Sequence, residues 1–505
     1  MAQQLQNITI AAPAFQGLNT QDSPLASDPS FAAVADNCII DQYGRIGARK
    51  GFSPLTTDNS GLGGETIVSM GWFEDDAGNT EVFSAANNKI FSGTTTLTDI
   101  TPASYSIAAD NWKMVSFNDR MYMFQRGQEP LVYDDADGLQ KMSDHSASVG
   151  TPPQANEAIA AYGRLWCADF SADKQTVYWS DLLNGAAWSG GTSGSINISK
   201  VWPDGHDEIV ALAAHNGFLI IFGRTSTVVY SGADAPATMV LSDTLGGLGC
   251  IERDSVQHTG GDIIFLSHVG LQSFGRTIQE KSFPTRDLSK NVRNDFMALI
   301  TGDTSNFKSV YSPENAFYLI TLPTQGVTFC FDTRGQLQDG SSRVTRWTGS
   351  KFTSFARSSD GTLYIGNTDG VCEYGTYLDN TETYSLRYFS NPLAFGDSSR
   401  IKMLKKLIPT VIAGSATLVK VKWGYDFSDS FFTDAIQLPT IVPAEYNVGE
   451  YNIAEYSSSN QEILKKAINT SGSGTVITVG VEVDINNQPF SLQEFNIQAL
   501  IGRIV

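Results

Sequence analysis

The chain has 505 residues, of which 41% are hydrophobic and 17% are charged, and its formal net charge is −19. This composition excludes a disordered tail, and the negative charge excludes a protein that grips nucleic acid over a broad basic face. An acidic wall repels phosphate, so the charge suits a passage through which DNA slides unbound; solubility alone explains it equally well.

The residue types favour an all-β protein. Glycine occurs 46 times and aromatic residues make up 11% of the chain, alongside runs of Thr, Val, Ile and Tyr. Glycine permits tight turns and β-branched residues suit pleated strands. We therefore expect many short strands joined by turns.

The cysteines and the N-terminus indicate where the chain is made. The cysteines are odd in number, far apart and without a CxxC pair: Cys38, Cys167, Cys250, Cys330 and Cys372. This spacing predicts buried thiols in a reducing cytoplasm, and neither a disulfide framework nor a zinc site. The N-terminus lacks the basic and apolar regions of a signal peptide, and no stretch approaches the roughly 20 apolar residues of a membrane span.

Residues 1–65 are predicted to form an N-terminal arm that contains a short helix and a hairpin. Asp28-Pro29 ahead of SFAAVAD has the pattern of an N-cap with proline at the first helical position. It predicts a short helix from about Pro29 to Ala35. The next residues predict a hairpin that turns at Tyr43-Gly44.

The predicted hairpin carries a basic triplet. Its members are Arg45, Arg49 and Lys50, and a glycine-rich spacer from Ser60 to Glu65 separates them from the rest of the chain. We expect these three side chains to be assembly contacts.

Residues 66–383 contain a repeat in which a polar turn pair is followed at once by an aromatic-rich strand. The copies begin at Asn87-Asn88, Asn118-Asp119, Tyr162-Gly163, Asn216-Gly217, Gly260-Gly261, Glu314-Asn315 and Asp360-Gly361. Successive copies lie 31 to 54 residues apart, the spacing that four-stranded blades of roughly 40 to 50 residues leave in a sequence. The repeat predicts a β-propeller of about seven blades, and six blades also fit.

One insertion in the repeat has a helical pattern. Its apolar residues are Leu288, Val292, Phe296 and Leu299, spaced for an amphipathic helix. We expect a loop that carries a helix out of one blade.

Residues 384–505 are predicted to form a second β domain, because their strands are longer and alternate as in a small sandwich. Within this domain a pentapeptide that begins at Tyr446 is repeated from Tyr451. The duplicated segment is either a contact surface or an ordinary hairpin arm, and we count Tyr446 and Tyr451 among the candidate assembly contacts.

A basic cluster stands out in the same domain. It contains Arg400, Lys402, Lys405 and Lys406. Either these residues face a phosphate backbone or an acidic partner, or they form a charged sheet edge that discourages stray pairing.

The repeats contain no pattern that predicts a catalytic or metal site. The glycine-rich loop near Gly190 lacks the Lys-Ser/Thr ending of a phosphate loop, and the histidines lack a metal-ligand spacing. The carboxylates at 74–76 and 134–137 lie at predicted hairpin tips, where Asp serves the turn, and the tryptophans are predicted to pack in the core. We expect no enzyme activity and no cofactor.

The arm resembles the opening of a family of viral proteins. Gly17 to Thr20, Asp36-Asn37 and the stretch from Gly44 to Gly51 follow the pattern found in tail nozzle proteins of short-tailed bacteriophages. These are also called tail tubular protein B or packaged-DNA stabilisation proteins. The closing FNIQALIGRIV is similar to the family's last strand, whereas Lys50 stands where the family commonly has proline.

The resemblance implies a structural virion protein in the phage tail, made in the bacterial cytoplasm. Such a subunit forms a ring, typically a homohexamer, below the tail adaptor or connector and carries fibres, spikes or a needle. Double-stranded DNA is retained by the ring and ejected through it without sequence-specific binding. The alternative is a carbohydrate-binding or glycan-cleaving propeller of a tail spike or lectin.

Overall fold

The computed structural model describes residues 4–25, 27–274, 286–303, 306–350, 352–414, 417–438 and 461–504. Nearly all regular structure in these ranges is β, with one α-helix, α1 (Arg293–Gly302). No helix in the described ranges has the length and apolar character needed to cross a membrane.

The strands are as follows in chain order. Those within residues 1–65 are β1 (Gln4–Ala11), β2 (Gly17–Leu18), β3 (Phe31–Asp36), β4 (Cys38–Ile40), β5 (Ile46–Ala48) and β6 (Phe52–Pro54). Those within residues 66–383 are β7 (Ser69–Glu74), β8 (Thr80–Ala86), β9 (Lys89–Ser92), β10 (Thr98–Asp99), β11 (Lys113–Phe117), β12 (Arg120–Phe124), β13 (Leu131–Asp134), β14 (Gly138–Lys141), β15 (Ala155–Ala161), β16 (Arg164–Phe170), β17 (Thr176–Trp179), β18 (Gly194–Asn197), β19 (Ile209–His215), β20 (Phe218–Gly223), β21 (Ser226–Ser231), β22 (Val240–Gly246), β23 (Gln257–His258), β24 (Ile263–Ser267), β25 (Gly270–Ser273), β26 (Arg286–Asp287), β27 (Lys308–Ser312), β28 (Phe317–Leu322), β29 (Val327–Gln336), β30 (Ser342–Thr348), β31 (Ser354–Arg357), β32 (Leu363–Asn367) and β33 (Gly370–Tyr374). The remainder are β34 (Tyr384–Ser390), β35 (Arg400–Gly414), β36 (Leu418–Tyr425), β37 (Phe432–Gln437), β38 (Gln461–Lys465), β39 (Ile468–Asn469), β40 (Ile477–Ile485) and β41 (Phe490–Ile504).

The strands from β7 to β33 form a β-propeller, as the repeat predicted. Among the described residues, β7–β10, β11–β14, β15–β18, β19–β22 and β23–β26 are sheets of consecutive antiparallel strands, and β31–β33 with β6 form another. The strands β27–β30 are a further four-stranded unit that continues into a larger sheet. First strands of successive units contact one another, except that β19 contacts the 3₁₀ turn at 253–255 just before β23. Strand β31 contacts β7, so the ring is closed.

The turn pairs explain both the repeat and its irregular first step. Asn118 and Asp119 both have positive φ, and so do Tyr162 and Gly163. Two successive positive φ angles are the type I′ turn geometry, which matches the twist of a hairpin. These pairs join the first strand of a unit to the second. Asn87-Asn88 joins the second strand to the third, so the first copy lies one strand too late and its distance to the next copy is short.

The last propeller sheet is completed by the arm. Strand β6 pairs antiparallel with β33, with Phe52 opposite Tyr374 and Pro54 opposite Cys372. Phe52 is buried and its ring lies 5.6 Å from that of Phe352. The N-terminal segment therefore closes the ring with a strand that is distant in sequence.

The arm also enters the two sheets of the C-terminal sandwich. One sheet of ten strands runs β27-β28-β29-β30-β2-β3-β34-β40-β36-β37, so β2 and β3 join the propeller to the C-terminal strands. The other, of seven strands, contains β38-β35-β41-β5-β4, with β1 on β41 and β39 on β35. The two sheets share one hydrophobic core, to which Val421 of β36, Leu407 of β35 and Phe495 of β41 contribute.

The helix predicted from about Pro29 to Ala35 is wrong, because Pro29 and Ser30 form a turn and the residues from Phe31 onward form strand β3. The N-cap pattern makes a turn: Ser30 N donates to Asp28 Oδ1 at 2.8 Å and Phe31 N donates to Asp28 O at 3.0 Å. The chain then pairs in parallel with β2 and antiparallel with β34. Pairing with strands far away in sequence overrides the local preference.

Of two further local predictions, the hairpin is confirmed, and the amphipathic helix is confirmed in part because Leu288 and Val292 precede it. Strands β4 and β5 form the hairpin, with Gly44 at a φ of 72°. Helix α1 follows a short 3₁₀ turn at 290–292. It buries Phe296, whose ring lies 4.9 Å from that of Phe329.

Candidate functional site

A group of charged side chains converges where the first strands of the propeller begin. Lys113 and Lys308 are the first residues of β11 and β27, Glu157 lies near the start of β15, and a 3₁₀ turn before β23 supplies the rest. We call this group the axis cluster: Lys113, Glu157, Arg253, Asp254 and Lys308. It brings together the second, third, fifth and sixth propeller units.

Asp254 is the centre of the axis cluster. Its Oδ2 lies 2.6 Å from Lys308 Nζ and 3.3 Å from Arg253 Nε, and its Oδ1 lies 3.4 Å from Lys113 Nζ. Lys113 Nζ also lies 3.4 Å from Glu157 Oε2. One carboxylate thus receives cations from three different units.

Two asparagines complete the hydrogen bonds of these cations. Arg253 Nη1 donates to Asn156 Oδ1 at 3.0 Å, and Nη2 donates to Asn111 O at 2.7 Å. Lys308 Nζ donates to Asn111 Oδ1 at 2.6 Å. Buried charges that are paired and hydrogen-bonded in this way are tolerated, whereas removing one partner leaves an uncompensated charge.

Burial sets the proton affinities in the cluster. The side chain of Glu157 is 1% exposed, and its burial raises the pKa of the carboxyl to about 7. Burial acts in the same direction on Asp254, but Arg253, Lys308 and Lys113 outweigh it and hold the pKa of that carboxyl well below its usual range. Burial lowers the pKa of Lys308.

The axis cluster crosses the propeller axis with ion pairs and so fixes opposite units to each other. No local pattern marks these residues in the sequence, because their meeting at one carboxylate depends on contacts between residues far apart in the chain.

Glu157→Gln should flatten the dependence of stability on pH. A carboxyl with a raised pKa in the folded state stabilises fully below its unfolded pKa and loses this contribution as pH rises through about 7. The wild type should therefore lose about 3 kcal/mol relative to the variant between about pH 4.5 and 7.5. Urea unfolding across this range measures the difference, with the exposed Glu74→Gln as control. Parallel pH profiles for wild type and Glu157→Gln would contradict the assignment.

A second buried polar group lies where the arm crosses between the propeller and the sandwich. Asn37 Nδ2 donates to Thr348 Oγ1 at 3.1 Å and to Ser385 O at 3.0 Å. Asn37 Oδ1 accepts from Arg49 Nε at 3.1 Å and from Thr348 N at 3.0 Å. One amide side chain thus links strands β30 and β34 to the segment after β5.

Arg49 is the second member of this joint and is completely buried. Its Nη1 and Nη2 lie 2.8 Å and 2.6 Å from the two carboxylate oxygens of Asp379. The guanidinium carbon lies 4.1 Å from the ring centre of Tyr384 and 5.6 Å from that of Trp347. A planar guanidinium satisfies this two-pronged, stacked site, which a lysine ammonium cannot.

Other residues of the arm motif have equally specific surroundings. Asp36 Oδ1 lies 2.9 Å from Arg346. Gly17 has a φ of 80°, and a Cβ atom there would lie 2.6 Å from Val344 O. A Cβ atom on Gly51 would collide with Leu378 O. The motif residues are therefore those that the joint between the propeller and the sandwich requires.

The structure places the candidate assembly contacts differently from one another. Arg49 is enclosed by its own chain, whereas Arg45 and Lys50 are half-buried. For Arg45 and Lys50, the role as assembly contacts stays a prediction. The guanidinium carbon of Arg45 lies 4.4 Å from the ring centre of Tyr43. Tyr446 and Tyr451 lie outside the described residues.

Arg49→Lys should destabilise the protein by about 3 kcal/mol, because the lysine keeps the charge but leaves part of the buried Asp379 carboxylate and Asn37 unsatisfied. Chemical unfolding with tryptophan fluorescence measures the loss. Arg387→Lys is the matched control, since Arg387 is 49% exposed and lies 4.0 Å from Asp36, and it should cost less than about 0.5 kcal/mol. Equal effects of the two substitutions would contradict the importance of the joint.

One group in the described ranges has side chains close enough together to hold a metal ion: Asp134, Asp137 and His145. His145 Nδ1 accepts from Ala147 N at 3.0 Å, so the proton is on Nε2, which lies 2.9 Å from Asp134 Oδ2. Arg120 Nε is 3.4 Å from the same oxygen. The imidazole therefore donates to the carboxylate, which Arg120 also contacts.

The structure agrees with the sequence on the other polar and aromatic candidates. Asp75 accepts from Asn79 N at 2.7 Å and Asp134 accepts from Asp137 N at 2.8 Å, so both acidic segments serve hairpin turns. The five cysteines are buried and free. Tryptophans pack in the cores, with the following at 6% exposure or less: Trp112, Trp166, Trp179, Trp202, Trp347 and Trp423.

The basic cluster predicted in the C-terminal domain lies on strand β35, where its lysines differ in burial. Lys402 is buried, and its Nζ donates to the backbone oxygens of Asp397 and Thr475. Strand β35 lies between β41 and β38 and is not a sheet edge, so that alternative is wrong. Lys405 and Lys406 are exposed.

No protein family model matches the chain, and no curated protein sequence matches it. Solved structures are similar in fold. The WD40 β-propeller domain of Doa1 has 10% sequence identity and a TM-score of 0.37 over 64% of this chain and 96% of that one. YCF48 bound to D1 peptide has 9% identity and a TM-score of 0.40 over 68% of this chain and 96% of that one.

A streptogramin B lyase structure is also similar, with 9% identity and a TM-score of 0.37 over 73% of this chain and 97% of that one. At sequence identities this low, the similarity is one of fold alone. No activity, ligand or partner is transferred to this chain from these proteins.

Proposed function

We propose that this protein is a structural subunit of the tail nozzle of a short-tailed bacteriophage and has no catalytic role. The observation that carries the proposal is the position of the residues that resemble the nozzle family. Asp36, Asn37 and Arg49 lie together at the joint between the propeller and the sandwich. Motif residues at this joint hold the propeller and the sandwich in one fixed position. Such rigidity suits a subunit that is repeated around a ring.

The axis cluster bears on the path of DNA. Ion pairs bridge the propeller units across the axis, so a duplex would run between copies of the chain and not through one propeller. The net charge of −19 would keep such a passage repulsive to phosphate and leave the duplex free to slide. Copies would form a closed ring through one patch that meets a different patch on the next copy.

The alternative is a glycan-binding or glycan-cleaving propeller. Sugar recognition commonly uses exposed aromatic rings at a cleft. The tryptophans that pack in the described cores offer no such platform. A glycan array with a hydrolysis readout separates the two functions, because a nozzle subunit neither binds nor cuts.

Electron microscopy of the phage that encodes this chain tests the proposal. Antibody raised against the purified protein should label the distal end of a short tail, and averaged images should show a ring of six copies. Antibody against a capsid protein is the control for access to the particle. Label on the capsid or on fibres alone, or none on intact particles that release the protein on disruption, would contradict the proposal.

A further inference from the structure

An exposed group of lysines lies on the C-terminal sandwich. Lys405 and Lys406 lie in β35 beside a register shift, and Lys465 and Lys466 lie at the end of β38. All four are exposed. Residue 406 is opposite Asn469 and residue 410 is opposite Lys465, so the two pairs lie on neighbouring strands. We call these four residues the lysine patch.

The lysine patch is mostly unpaired with acid. Lys465 Nζ lies 3.5 Å from Glu494, and this is the one ion pair formed by the patch among the described residues. A surplus of positive charge is unusual in a chain with a net charge of −19. Such a patch attracts a negatively charged surface and sets how that surface approaches.

An acidic surface lies on the first two propeller units. Turns on the same side of these units bring carboxylates together, since Asp76 N donates to Asp119 Oδ1 at 2.8 Å across the units. We call these residues the acidic turns: Glu74, Asp75, Asp76, Asp119, Asp135 and Asp137.

The acidic turns crowd like charges. Asp75 shares a hydrogen bond with Asp135, and the negative charges of Asp75 and Asp119 further raise the pKa of Asp135. Arg120, which lies in the same unit, is bound to Asp134. Like charges held this closely repel one another, and cations supplied from outside the chain relieve that repulsion.

We infer that the lysine patch of one copy binds the acidic turns of a second copy. The two surfaces are different patches of the same chain, so the contact is head-to-tail and each copy has both halves free for a neighbour. The patches form no ion pair with each other within the chain in the described residues. The inference rests on the proposed function only for the closure of copies into a ring.

Charge reversal in the full-length protein tests the inference. Lys405→Glu with Lys406→Glu should weaken self-association at least about tenfold, and so should Asp76→Lys with Asp135→Lys. The chain that carries all four substitutions should regain most of the affinity, because the charges are exchanged and not lost. Sedimentation velocity at about 50 mM and about 500 mM salt measures the association, which should weaken at high salt.

Lys89→Glu with Lys200→Glu is the matched control. It changes the net charge as much as the reversal in the lysine patch does, and Lys89 lies at the opposite end of the first unit from the acidic turns. It should leave association unchanged. Thermal unfolding of each variant confirms that the fold is kept.

Three outcomes would overturn the inference. One is a wild type that stays monomeric at all concentrations, and another is a fourfold variant no better than the double variants. The third is a lysine patch that binds short duplex DNA in a fluorescence anisotropy assay and loses it on reversal without an effect on association. Failure of the proposed function is distinct, since it would remove the label from the tail without changing association in solution.

Discussion

The joint formed by Asn37, Arg49 and Asp379 is the constraint on which the rest of this structure depends. A propeller must be closed by its last sheet, and a sandwich must hold two sheets face to face. Both tasks fall to the same N-terminal segment, because β6 completes the propeller while β1, β4 and β5 enter the seven-stranded sheet. Asn37 and Arg49 lie between these strands and are buried, so their hydrogen bonds fix the position of the propeller relative to the sandwich.

Two groups of buried charge thus have complementary effects. The joint fixes the propeller to the sandwich, and the axis cluster fixes opposite propeller units to one another through Asp254. Buried ion pairs add little net stability compared with apolar packing, but each penalises any arrangement that leaves one partner alone. Their combined effect is to specify one relative position of the propeller and the sandwich.

The sequence predicted what depends on neighbouring residues and missed what depends on distant ones. Turns such as the one at Asn118-Asp119 need residues that tolerate positive φ. This local requirement produces the repeat from which the propeller is predicted. Asp28-Pro29 also makes its turn, but the following residues form β3 because β2 and β34 lie beside them. The buried position of Arg49 and the meeting of Lys113, Lys308 and Asp254 are contacts between residues far apart in sequence, for which no local pattern exists. The burial of Lys402 is of the same kind, since it depends on the strands that cover this side chain.

The central claim is that the arm makes the propeller and the sandwich one cooperative unit. Native-state hydrogen exchange tests it most directly, by comparing the opening free energy of amides in β3, β5 and β6 with that of amides in the inner strands β15 and β19. Arm amides should exchange only through the global unfolding that also exposes the inner strands. Exchange of the arm through a separate opening of lower free energy, with the inner strands still protected, would contradict it.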